Sequence, residues 1–207
     1  MSTAIRRTLP LLALAAFLAA LVAAPAQAKV VRLTGETTAL TLNDTATGAL
    51  SANSIVAAPL APATADGATF TFPITGGRVG TKNLYGVVLH RGGIKFTKDG
   101  KTAVLRRFVI VNRPKGTYLD GLVLVRTRVV HRAAGRARVR FVQVYRAARL
   151  LKLSNLARAD ANGKVVVTAD AALTPAAAKY LNRRLGVTVF TDGVTVGTAK
   201  VTATVAS

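Results

Sequence analysis

The sequence predicts an all-β fold, an antiparallel β-sandwich or open barrel carrying two short helices. Three observations carry that expectation. Apolar and polar residues alternate over many short segments, the period of a half-buried strand. Asp99-Gly100 and Asn162-Gly163 are two-residue hairpin signals, because both central residues of a type I′ turn need φ > 0. Helix caps stand at only two places, Asn43 or Asp44 and Thr174. Many strands with two short helices give a layered or closed antiparallel sheet.

Residues 1–28 read as a signal peptide outside the fold. Arg6 and Arg7 form a basic start, Leu11–Ala24 is an apolar run too short for a span, and Ala26-Gln27-Ala28 has the form of a cleavage site. Export of a chain starting near Lys29, to the cell envelope or beyond, follows. The remaining 179 of 207 residues suit one domain, and at that size a core can form without staples. The chain has no cysteine, so packing alone must hold it.

From Lys29 onward, Val30–Leu33 and Thr37–Leu42 read as two short strands around Thr34-Gly35. A capped helix then runs to Leu50, followed by an extended segment Ile55–Pro62 and a turn at Ala63–Gly67. Thr69–Pro73 alternates as a strand, and Gly76–Gly80 is turn-rich and would suit close backbone approach to a ligand. The central stretch Gly86–Arg113 holds the strongest hairpin, with Ile94 and Phe96 leading into Asp99-Gly100. On the return, Ala103 and Leu105 share one parity and Phe108 and Ile110 the other, which predicts a β-bulge at Arg106-Arg107.

Leu119–His131 and Arg136–Arg146 follow as strands around Ala133-Ala134-Gly135, then Ala147–Leu153. Leu156–Asp160 and Lys164–Ala169 pair across Asn162-Gly163. Thr174 caps a second helix with Pro175 at its first position, ending near Leu185 at Gly186. Val187–Phe190 and Thr195–Val205 close the chain as strands. Leu42-Asn43 with Leu50 and Leu173-Thr174 with Leu181 share one spacing, a faint internal echo.

Chemistry-bearing residues are few. There is no thiolate, His90 and His131 are the only imidazoles, no serine sits in a nucleophile elbow, and the 8 carboxylates are scattered, several in turns. No catalytic set and no metal site emerge, so an enzyme is not expected. Without Arg6 and Arg7 the 29 basic residues fall to 27 against 8 acidic, a net charge of +19. That favours anionic surfaces, while a GC-rich codon bias is an alternative origin of the charge.

If Ala133–Gly135 is the loop, Arg132 faces Arg136 and Arg128 faces Arg140. Arg126, Arg128, Arg132, Arg136, Arg138 and Arg140 then share one face, and Val125, Val129, Val139 and Phe141 the core side. Such a grid suits an anionic cell-wall polymer or a lipid surface, or else simply faces water. Nucleic acid is not expected, since no aromatic residues interleave these arginines. A second candidate site is Tyr85 with His90 and Arg91, beside Gly92-Gly93, where His90 is either a ligand-binding or a structural side chain.

The segments GGRVG…LYGVVLHRGGIKF…VLRRFVIVN and ALTPAAAKYLNRRLGVTVF resemble HtaA-type domains, exported actinobacterial domains associated with haem transport. The resemblance runs from about Leu40 onward and makes residues 29–207 one such β-rich domain. It implies a two-sheet antiparallel fold with two short helices. It also implies a haem cofactor whose axial Tyr comes from the first helical region, supported by a His of the central hairpin. In this chain Asn43–Asn53 holds no Tyr, His90 is the approximate match to the supporting His, and Tyr180 lies on the second helix. The sequence therefore predicts a non-catalytic binding module of the envelope that meets anionic polymers or surfaces. The alternative is a divergent haem or hydrophobic-ligand carrier.

Overall fold

The computed structural model describes residues 29–133, 136–161 and 163–206, and the side chains at 128, 131–139 and 161 lie outside that description. The signal-peptide reading of residues 1–28 falls outside it as well. Among the described residues, eleven strands and two helices follow one another. They are β1 (Val30–Leu42), α1 (Asp44–Ala52), β2 (Val56–Leu60), β3 (Thr64–Asp66), β4 (Thr69–Gly80), β5 (Gly86–His90) and β6 (Gly93–Lys98). Then come β7 (Lys101–Arg113), β8 (Gly116–Ala133), β9 (Arg136–Ala161), β10 (Lys164–Leu173), α2 (Pro175–Leu185) and β11 (Thr195–Val205).

The predicted bulge organises the sheet. Lys98 pairs with Lys101 across Asp99 and Gly100, both at positive φ, so β6 and β7 form the expected tight hairpin. At Arg107 the backbone turns to φ 51° and the register with β8 shifts. Before that point one edge of β7 bonds to β6, and after it the same edge bonds to β5. The opposite edge of β7 bonds to β8. This last pairing closes the ring β7-β5-β4-β1-β11-β10-β9-β8 into an antiparallel barrel of 8 strands, with β2 continuing β6 and β3 flanking β4. The all-β class with two helices is what forms.

Several local expectations change. Thr34-Gly35 does not separate two strands, because Gly35 and Glu36 at φ 67° and 68° form a bulge inside one continuous β1. Gly76–Gly80 is not a turn but the end of β4, paired with β5 and β1. Gly77 serves neighbouring backbone rather than a ligand: a Cβ there would collide with the carbonyl oxygen of Val87. Val187–Phe190 is not a strand, since the Asn182 side chain takes the place of a strand neighbour. Its Nδ2 donates to Phe190 O at 2.8 Å and its Oδ1 accepts from Phe190 N at 3.0 Å.

The core fills the barrel. Phe72 of β4 meets Phe108 of β7 edge to face at 4.9 Å between centroids, with Leu33, Ile74, Val88 and Leu119 buried around them. β1 and β10 both run antiparallel to β11, so they run the same way and deliver α1 and α2 to the same barrel mouth. The two segments of the sequence echo thus stand on either side of the start of β11. Asn43 N donates to Val196 O and Leu173 N to Val194 O, at 3.0 and 2.9 Å.

Candidate functional site

A cavity of about 280 Å³ lies at that mouth. α1 contributes Ala46, Ala49 and Leu50 to its wall, α2 contributes Ala177 and Leu181, and the segment after α2 contributes Phe190. The barrel supplies Phe70, Phe72, Phe96 and Phe108 from below. Thr45 and Thr191 are the polar residues of the lining. The alanines on the helices leave the room, because interiors normally hold few voids larger than a water molecule. With Thr45 and Thr191 as its few polar partners for water, a cavity of this size suits a mainly apolar guest.

The helices are held there by their caps. Asn43 Oδ1 accepts from Ala46 N at 2.9 Å, and its Nδ2 donates to Thr195 O at 2.8 Å, fixing α1 to the start of β11. Thr174 Oγ1 accepts from Ala177 N at 3.3 Å and donates to Arg149 O at 2.6 Å, fixing α2 to β9. α2 ends at Gly186 in the left-handed region at φ 71°, as the sequence predicts.

His90 is buried in the barrel wall, away from the cavity lining. Its Nδ1 lies 3.1 Å from Phe108 O, a carbonyl that can only accept, so Nδ1 carries the proton. Nε2 then accepts from the Thr38 hydroxyl at 2.7 Å. Burial pushes the imidazole pKa down to about 4, against the smaller opposing pull of the Phe108 carbonyl. Of the two readings of His90, the geometry selects the structural one, since both ring nitrogens are spent.

Tyr85 and Arg91 do not join it. Tyr85 O accepts from Gly80 N at 2.9 Å at the end of β4 remote from the helices, and its ring is exposed. Arg91 is exposed, with its backbone N–H on Pro73 O. The three residues therefore form no common site.

Tyr180 is buried and its hydroxyl points between strands rather than into the cavity. It accepts from Val104 N at 3.1 Å and shares its proton between Leu124 O at 3.1 Å and Val104 O at 3.2 Å. It thereby closes the gap where β7 and β8 part, since their pairing ends at Leu105↔Val123.

The arginine ribbon forms, with another register. Ala133 pairs with Arg136, one residue away from the expected register, so Arg128 pairs with Phe141 and Arg140 with Val129. A one-residue slip moves one strand's whole set to the opposite face. Positions 126, 128 and 132 therefore lie on one face, and positions 136, 138 and 140 on the other. Phe141 is 58% exposed beside Arg126, not in the core. The side chains at 128, 132, 136 and 138, and that of His131, lie outside the described residues.

The aromatic residues missing between the arginines in sequence do stand between them in space. Arg149 lies over Tyr118 at 3.8 Å, Arg106 over Tyr145 at 5.8 Å and Arg126 over Phe141 at 4.4 Å. Sequence reading misses these stacks because they join β7, β8 and β9 across the ladder.

Comparison with solved structures places this architecture. The C-terminal domain of HtaA from Corynebacterium glutamicum matches 85% of this chain and 99% of its own, at 16% identity and a TM-score of 0.62. The fold is that of the HtaA domains. The N-terminal domain of HtaA from the same organism matches 84% of this chain and 99% of its own, at 14% identity and a TM-score of 0.56. The haem-binding protein HtaB of that organism covers 86% and 96%, at 13% identity and a TM-score of 0.54. No family model and no curated protein match the chain.

The HtaA resemblance implies a haem, and among the described residues the donor set at the cavity does not fit its iron. α1 holds no Tyr, Tyr180 and His90 are bonded elsewhere, and the described cavity lining offers no imidazole, phenolate or thioether. A porphyrin would meet hydrocarbon and two threonines here, and no iron ligand.

Proposed function

We propose that this chain is an exported, non-catalytic binding domain that carries an apolar ligand in the cavity under α1 and α2. The observation that carries the reading is the lining itself, hydrocarbon from both helices and the barrel with Thr45 and Thr191 as its polar members. HtaB, of the same fold, binds haem, which supports a ligand-carrying role for the scaffold. The acids support the absence of catalysis. Glu36 lies on Lys164, Asp160 on Arg158 and Asp99 on Lys98, and none of the three lines the cavity.

The test is titration with cis-parinaric acid, followed by fluorescence, in the parent chain and in Ala49→Phe. The bulkier side chain should weaken binding about tenfold or more while leaving the melting temperature near that of the parent. Equal binding in both proteins would overturn the cavity reading. Haem serves as a second probe. Its absorption spectrum should be the same in the parent, Tyr85→Phe and Tyr180→Phe, and a band lost in either variant would restore iron ligation.

A further inference from the structure

β8 and β9 leave the barrel as a two-stranded projection. Pairing with β7 ends at Val123 and pairing with β10 ends at Leu151. From Leu124↔Tyr145 to Ala133↔Arg136 neither strand has any other strand as a partner. At about 3.3 Å per residue this free part extends for about 30 Å. A lone two-stranded ribbon is marginal in water, so a surface that covers it would stabilise it.

Its charge is of one sign. The stretch from Leu124 to Ala148 holds Arg126, Arg128, Arg132, Arg136, Arg138, Arg140 and Arg146, and no acid. Its outer face is also apolar: Phe141, Tyr145 and Val130 are 58%, 46% and 44% exposed, all on the Arg126 side of the ladder. The three arginine–aromatic stacks follow one another along this face from the barrel wall at Tyr118 to Phe141, and Arg106 Nη1 donates to Tyr145 Oη at 3.2 Å.

We propose that this face rests on an anionic lipid surface, with Phe141, Tyr145 and Val130 in the headgroup region and Arg126, together with Arg106 at the barrel end, on lipid phosphates. Aromatic side chains settle at the membrane–water boundary, and guanidinium groups reach phosphate while their stems cover apolar surface. A basic, amphipathic face gains from both terms at once. A soluble polyanion would satisfy the arginines and leave Phe141 in water. Single-stranded nucleic acid would need open ring faces for its bases, and guanidinium groups cover those of Tyr118 and Phe141. The inference uses no part of the cavity and stands apart from it.

The test is co-sedimentation of the chain from Lys29, free of the apolar run of residues 11–24, with phosphatidylglycerol–phosphatidylcholine vesicles. Partition should fall about tenfold or more on phosphatidylcholine alone, and as much in the double variant F141S/Y145S. The double variant should still be retained on immobilised polyphosphate as strongly as the parent. Circular dichroism confirms that it folds, and Arg126→Glu, which keeps both rings, should lose partition too. Equal partition of F141S/Y145S and the parent would overturn the proposal. So would polyphosphate or single-stranded DNA that strips the parent from vesicles and itself binds F141S/Y145S more weakly.

Discussion

α1 and α2 occupy matching positions, each following a neighbour of β11 at one barrel mouth, yet they are held very differently. α2 buries Ala177, Ala178, Tyr180, Leu181 and Leu185, and bonds to β9 through Thr174, to β7 and β8 through Tyr180, and to Thr102 O through Arg184. α1 buries no residue and is fixed mainly at its caps, with Ala46, Ala49 and Leu50 turned to the cavity. One helix is part of the barrel's core and the other is one wall of its cavity. Matching sequence spacing thus produces matching placement, while the load each element carries depends on what it packs against.

The largest effect that separates them is a truncation. Leu185 is fully buried, so Leu185→Ala should cost about 2–5 kcal/mol in urea unfolding. Leu50→Ala, on a half-buried residue at the cavity, should cost less than about 1 kcal/mol and weaken cis-parinaric acid binding instead. Equal losses of stability would erase the contrast.

Acid tests the barrel wall, where His90 of β5 bonds to β1 and β7. His90 is neutral when folded, with a pKa of about 4, and it titrates near 6.5 once exposed. Between those values the unfolded chain holds the extra proton. The contribution is therefore complete above about pH 6.5 and is lost as pH falls toward about 4, a change of roughly 3 kcal/mol. Urea midpoints across that range should fall in the parent and stay flatter in His90→Gln. Amide exchange of α2 should quicken with the same pH dependence, and that of α1 should be fast throughout. Protection of α1 equal to that of α2 would contradict the division of roles.

The smallest effect is a single oxygen. Tyr180→Phe leaves Val104 N without its acceptor and should cost about 1–3 kcal/mol, with faster exchange at Val104. A neutral substitution would mean that α2 is held by its apolar face alone.

Much of the architecture was legible in the residues. Asp99-Gly100, the parity switch at Arg106-Arg107, and the Thr174-Pro175 and Gly186 ends of α2 each encode a local backbone choice, and each forms where expected. The sites were less legible. Tyr85, His90 and Arg91 are close in sequence, but a strand spreads them from one end of the barrel to its wall and its surface. The arginine face depends on a pairing register one residue away from the Ala133↔Arg136 pairing that forms.

By itself, then, the sequence determined the alternation, turns, bulge, caps and charge, because these follow from φ/ψ preferences and side-chain polarity within a few neighbours. Only the tertiary structure decided that β7 meets β8 to close the barrel, that α1 and α2 share one mouth with a cavity between them, and that Phe141 stands outside with Arg126. Those outcomes depend on pairing between segments far apart in the chain. There, a shift of one residue reverses which side of a strand meets water.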